Sequence, residues 1–163
     1  MSEPSAVAAL DLLRQRAETL ATAESLTGGL IGQLLTDVPG ASAAYLGGAI
    51  TYATRLKGTL AGVREATLVA HGPVHPRTAV EMAAGVAERC SASWGLAVTG
   101  VAGPDPQDGH PVGQVFVALC RRVPAQSHVR ELQLSGGRAE IRWATARAAL
   151  ELVVEVLGMP GTS

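Results

Sequence analysis

The sequence predicts an α/β protein, a three-layer α/β/α sandwich around a mixed sheet of about five strands. Three observations predict it. Helix-period and strand-like apolar segments alternate along the chain, glycine-containing loops join strands to helices, and small residues far outnumber aromatic ones. The 163 residues include 28 alanines and 19 glycines but only 3% aromatics. Such a chain packs by close backbone approach, so its helices should lie tightly on the sheet.

Each element follows from local pattern. Ala6, Leu10, Leu13 and Ala17 recur at helical spacing and mark one face of a first helix. Thr19 to Ala23 reads as a buried strand, and Gly28-Gly29 then opens the apolar helical run Leu30 to Leu35. After Pro39-Gly40, residues Ala44 to Ala53 predict a second strand, followed by a short helix around Leu56 to Leu60. Gly62 and Gly72 bracket another short helix. Pro76 suits the first turn of a longer one, with Ala79, Met82, Ala83, Val86 and Cys90 on one face. Trp94 to Thr99 predicts a third strand, Val112 to Leu119 a fourth, and Val129 to Leu134 a shorter fifth that pairs with the fourth as a hairpin. The last helix starts near Arg138, with Ile141, Ala148, Leu152 and Val156 inward and Arg147, Glu151 and Glu155 solvated. One domain over 1–163 is expected, its core running from about residue 6 to 157 and its tail, 158–163, frayed.

Composition narrows the function. Thirteen basic against fourteen acidic side chains supply no field for nucleic acid or an anionic membrane surface. No apolar run approaches a bilayer span and no signal peptide precedes Leu10, so a soluble, cytoplasmic protein is expected. Cys90 and Cys120 form no C-x-x-C pair, and His71 and His75 are separated by Gly72-Pro73 and so are not a helical metal pair; neither metal nor cofactor is called for. Twelve of the thirteen basic residues are arginines. Lys57 is the sole lysine, hence the only side-chain amine that can act as a base, because arginine does not lose its proton.

Four constellations can carry chemistry. In Thr22-Ala23-Glu24-Ser25-Leu26-Thr27-Gly28-Gly29, small hydroxyls and glycines lie between a strand and a helix. Ser25 there is either a nucleophile on an anion cradle or, with Thr27, a helix cap. Gly48, Tyr52 and Lys57 follow the next strand; the lysine is either solvated or the base of a Ser/Lys pair. Thr99-Gly100-Val101-Ala102-Gly103-Pro104-Asp105 is a turn that permits close approach of a ligand. Arg138 and Arg142, after Gly136-Gly137, oppose a helix dipole and want either a phosphate or a salt bridge to Glu140 or a sheet carboxylate. Glu24, beside Ser25, is the one glutamate placed to matter.

These residues, from about Leu12 to Leu157, resemble the CinA C-terminal domain family, whose active members are nicotinamide mononucleotide amidohydrolases. Thr22 to Gly29 is similar to the family's TAESCTGG signature, Thr99 to Pro104 to its TGxAGP turn, and Gly48, Tyr52 and Lys57, Pro111-Val112-Gly113 and Gly137-Arg138 with Arg142 complete the likeness. Leu26 stands for the usual Cys, Ala53-Thr54-Arg55 for Ser-Asn-Glu, His75 for Ser, and Gly136-Gly137 for Gly-Asp. The resemblance implies a three-layer α/β fold, Ser25 as nucleophile, Lys57 as its base and Tyr52 assisting. It also implies a frequent homodimer, without the N-terminal pyrophosphatase-type domain of the larger CinA proteins.

The expected reaction is hydrolysis of the carboxamide of nicotinamide mononucleotide, with N–H groups around Thr27 to Gly29 steadying the oxyanion. Arg138 and Arg142 would take the phosphate, while Glu24, Ser42, Gly48, Thr99 and Gly100 would complete the substrate pocket. The alternative is a non-catalytic nucleotide-binding module, suggested by the altered residues 53–55 and 136–137.

Overall fold

The computed structural model describes residues 1–161. Its helices are α1 (Pro4–Gln15), α2 (Leu30–Thr36), α3 (Thr54–Ala61), α4 (Glu65–His71), α5 (Pro76–Cys90) and α6 (Arg138–Gly158). Its strands are β1 (Leu20–Glu24), β2 (Tyr45–Ile50), β3 (Trp94–Gly100), β4 (Gln114–Arg121) and β5 (Gln126–Gln133). The strands form one mixed sheet in the order β2-β1-β3-β4-β5. β1 runs parallel to both neighbours, whereas β3, β4 and β5 pair antiparallel, so the expected hairpin is present. No helix among the described residues is long and apolar enough to cross a membrane.

The period-two alternation of strand side chains sorts the core into two layers. Leu20, Trp94, Leu96, Val98, Val115, Val117 and Leu119 point to the face covered by α1, α2 and α6. Ala21, Ala23, Ala97, Ala118 and Cys120 point to the other, under α5 and the end of α3. The second layer is built from small residues, as the composition predicts, and the helix comes very close. A Cβ on Gly95 would sit 1.9 Å from the Ala83 carbonyl oxygen, and one on Gly85 of α5 1.7 Å from that of Ala61.

Element ends depart from the sequence reading for local reasons. Ala17 lies beyond α1, exposed and at φ 52°, rather than on its buried face. β2 stops at Ile50, and α3 begins four residues later, N-capped by Ala53. β4 starts at Gln114 because Pro111 and Gly113 are spent on a turn, in which Gly113 N–H donates to Val101 O. β5 is as long as β4, eight residues, since a polar edge strand lacks the apolar run used to delimit it. Ala148 is half-buried, while Ile141, Leu152 and Val156 point inward. The expected tail follows the end of α6 at Gly158, and residues 162–163 of it lie outside the described residues.

The close α5 contact makes a first prediction. Gly95→Ala should lower stability by about 1–3 kcal/mol, because overpacking against backbone cannot be relieved by a rotamer change. Urea unfolding of the variant beside the parent measures it, and an unchanged midpoint would contradict the packing described.

Candidate active site

Parallel pairing of β1 with both β2 and β3 sets Glu24 level with Ile50 on one side and Val98 on the other. The loops that follow these strands therefore leave the sheet side by side, outside the strand ends where ligands gather in such folds. Ser25 continues the alternation of Ala21 and Ala23 and so belongs to the α5 side, where α3 also lies. Glu24 belongs to the opposite side, under α2.

Lys57 comes from the buried face of α3, one turn before Ala61. Its Nζ lies 2.9 Å from Ser25 Oγ and donates to Thr51 O at 2.8 Å. The residue is only 2% exposed, and no carboxylate among the described residues lies within ion-pair distance of it. Burial without a counter-charge pushes the amine down to about 8. At neutral pH a measurable fraction of Lys57 is uncharged, with its lone pair free to take the serine proton.

The turn after Ser25 is fixed from several sides. Gly28 N–H donates to Ser25 O at 3.1 Å, and Leu30 N–H to Thr27 O at 3.1 Å. The Glu24 carboxylate accepts the N–H groups of Gly29, Ile31 and Gly32 at 3.2, 2.9 and 3.0 Å, which caps the start of α2. Arg142, on the second turn of α6, donates through Nε to Leu26 O at 2.8 Å and through Nη2 to Thr27 O at 3.1 Å. Gly28, at φ 59°, leaves the guanidinium room: a Cβ there would lie 3.2 Å from Nη2. Among the described residues the N–H groups of Leu26 and Thr27 alone in this turn have no acceptor in the protein.

A cavity of about 170 Å³ opens over the Ser25–Lys57 pair. Tyr52, Thr99, Gly100, Asp105, Gln107 and Arg138 are among the residues that line it. Thr99 Oγ1 donates to Pro73 O at 2.7 Å, which ties the third loop to the segment before α5. Arg138 reaches across the rim, donating to Gly103 O at 2.7 Å and to the Tyr52 hydroxyl at 3.1 Å.

The sequence model of the CinA C-terminal domain matches residues 2–157 of the chain. The chain belongs to that family. A CinA-like protein of Frankia casuarinae is 50% identical over 154 residues, covering 94% of this chain and 35% of the relative. The chain thus spans about a third of the length of the curated relatives it matches. Two solved structures are similar throughout. The competence/damage inducible protein CihA from Agrobacterium tumefaciens has a TM-score of 0.87 at 34% identity, covering 98% of this chain and 99% of that one. The competence damage-inducible protein A (ComA) from Klebsiella pneumoniae has a TM-score of 0.90 at 29% identity, with 96% of each chain covered.

Within this CinA domain the residues expected at the site divide sharply. Ser25, Lys57, Tyr52, Thr99, Gly100 and Arg138 share the cavity. Tyr52, 63% exposed, bonds to Arg138 and has no hydrogen bond to Ser25 or Lys57, so its contact differs from the assisting role expected. Glu24 is a buried cap, not a ligand in the pocket. Gly28 and Gly29 spend their N–H groups inside the loop and cannot serve an oxyanion, and Thr27 is fully buried, its hydroxyl without a partner among the described residues. Ser42 precedes β2 and lies at the opposite end of the parallel strands, lining a separate groove with Pro39 and Tyr45. Gly48 is a packing glycine: a Cβ there would sit 2.0 Å from Thr22 O on the adjoining strand. Arg142 does not line the cavity and makes no bridge to Glu140, whose carboxylate instead accepts Gly137 N–H; its guanidinium holds Leu26 O and Thr27 O.

Sequence reasoning missed three participants. Asp105 reads as a turn former and Gln107 as loop, yet both line the cavity, and the Gly/Pro pattern around them is the only available signal. The third is the carbonyl of Thr51, which no side-chain pattern can announce.

The buried amine generates a pH prediction with a definite sign. Lys57 has a folded value below its unfolded one, so its burial costs stability below about pH 8 and this penalty is relieved as pH rises toward 10.5. The full penalty is on the order of 3 kcal/mol. Relative to Lys57→Met, the parent protein should therefore gain stability between pH 8 and 10.5. Denaturant unfolding at a series of pH values tests it, and parallel stability curves would refute the depressed value.

Proposed function

We propose that the chain hydrolyses the carboxamide of nicotinamide mononucleotide, giving nicotinate mononucleotide and ammonia. The observation that carries this reading is the contact at 2.9 Å between Ser25 Oγ and a buried, uncompensated Lys57 amine, at the base of a cavity. Neutral Lys57 takes the serine proton while Ser25 Oγ attacks the amide carbon. The oxyanion that forms is held by the N–H group of Leu26, which has no other acceptor and belongs to a residue lining the cavity. Collapse breaks the C–N bond, and Lys57 returns its proton to the departing ammonia. A water then gives a proton to Lys57, attacks the acyl-serine, and restores the enzyme. Thr51 O orients the amine throughout.

The charges at the rim suit this substrate. Arg138 offers a guanidinium to the phosphate in exchange for its Tyr52 contact. Asp105, on the loop whose Gly103 carbonyl Arg138 holds, lines the same cavity and brings a carboxylate that complements a cationic pyridinium. That ring charge makes the amide carbon more electrophilic than an ordinary one.

Ser25→Ala and Lys57→Arg should each lower ammonia release by at least about a thousand-fold, the arginine change because it keeps charge and removes basicity. In the parent protein kcat should rise with pH through the region near 8 as Lys57 loses its proton. Binding of the nucleotide by calorimetry with no ammonia evolved would instead identify a non-catalytic module.

Arg138→Gln should raise KM for the nucleotide by about 10–100-fold with a smaller change in kcat, since it removes a charged contact remote from the amide. Tyr52→Phe should leave kcat within about threefold, because its hydroxyl contacts Arg138 and not the Ser/Lys pair. Steady-state kinetics on both variants measures the split.

A further inference from the structure

Arg142 reads from the sequence as a phosphate ligand or a salt-bridge partner, yet it is not among the residues that line the cavity and it holds two backbone carbonyls. A trans peptide points its N–H opposite to its C=O. Fixing Leu26 O on Arg142 Nε therefore fixes the direction of Thr27 N–H, the other end of the same peptide group. The preceding peptide is set in the same way, because Ser25 O accepts Gly28 N–H and so directs Leu26 N–H. The following one is held at both ends, by Arg142 Nη2 on Thr27 O and by Gly28 N–H on Ser25 O.

From this geometry we propose that Arg142 is a positioning residue: by holding Leu26 O and Thr27 O it sets the turn in which Gly28 N–H binds Ser25 O, so that the N–H of Leu26, a residue lining the cavity, stands as a preformed hydrogen-bond donor to an anion. Three features support it. The two contacts use different nitrogens of one planar guanidinium, a fork that lysine cannot reproduce. Both lie within hydrogen-bond range, at 2.8 and 3.1 Å. Gly28, whose backbone the guanidinium approaches, has no side chain to block it. The proposal rests on Ser25 being the nucleophile assigned above, but not on the identity of the amide.

The test uses an alkyl fluorophosphonate, which carries no phosphomonoester. Ser25 Oγ forms the new P–O bond, fluoride leaves with the P–F electrons, and Lys57 Nζ takes the serine proton. R142K and R142A should be labelled about 100-fold more slowly than the parent, the size expected for loss of an oxyanion donor. Millimolar guanidinium should restore much of the rate to R142A and none to R142K, while KM for nicotinamide mononucleotide stays near the parent value and kcat falls.

Equal labelling rates in R142K and the parent overturn the proposal, as does a raised KM with normal labelling, which would return Arg142 to phosphate binding. R142K keeps length and charge, so its labelling rate at a parental melting temperature decides the matter if R142A does not fold. A parent protein that is not labelled at all overturns the serine assignment and this proposal together. A labelled parent that releases no ammonia from nicotinamide mononucleotide overturns only the substrate reading.

Discussion

An amine buried without a counter-ion is the constraint on which the rest of the site depends. Desolvation alone would expel the Lys57 side chain or leave it unsatisfied, and the fold answers with two oxygen partners, the Thr51 carbonyl and the Ser25 hydroxyl. Both are neutral, so neither restores the ordinary affinity for a proton as a carboxylate would. Those partners come from the ends of β1 and β2, whose parallel register brings the ends level. Topology thus supplies the meeting of hydroxyl and amine, and burial supplies its chemistry.

The same end of the sheet shows how one loop can be both rigid and open to a ligand. Glu24 consumes the N–H groups at the start of α2, which would otherwise compete for an incoming anion. Strand alternation assigns the tasks: the carboxylate goes to the α2 side for capping and the adjacent hydroxyl to the cavity side for contact with Lys57. A shift of one residue in β1 would exchange them and leave a buried carboxylate facing the amine.

Much of this was legible in the sequence. Apolar spacing located α1, α5 and α6, glycines bracketed α4, and small-residue content anticipated the close α5 layer that Gly95 and Gly85 permit. The Ser25–Lys57 contact was accessible because a single lysine leaves no competing choice of amine. What was hidden shares one cause. Glu24, Gly29 and Arg142 act on backbone groups, and Gly48 answers a backbone oxygen across the sheet, so their roles depend on peptide orientation and not on residue type. Ser42 was misplaced because proximity in sequence to β2 does not say which end of the strand faces the cavity.

The replacement of every other cationic side chain by arginine has a practical result. With Lys57 2% exposed, acylating or cross-linking reagents directed at lysine find no side-chain target on the outer surface of this molecule. Isotopic enrichment of the lysine Nζ alone would put one side-chain nitrogen signal into a magnetic resonance spectrum, and it would originate in the Ser25 cleft. The protein carries its own spectroscopic probe where an introduced label would disturb most.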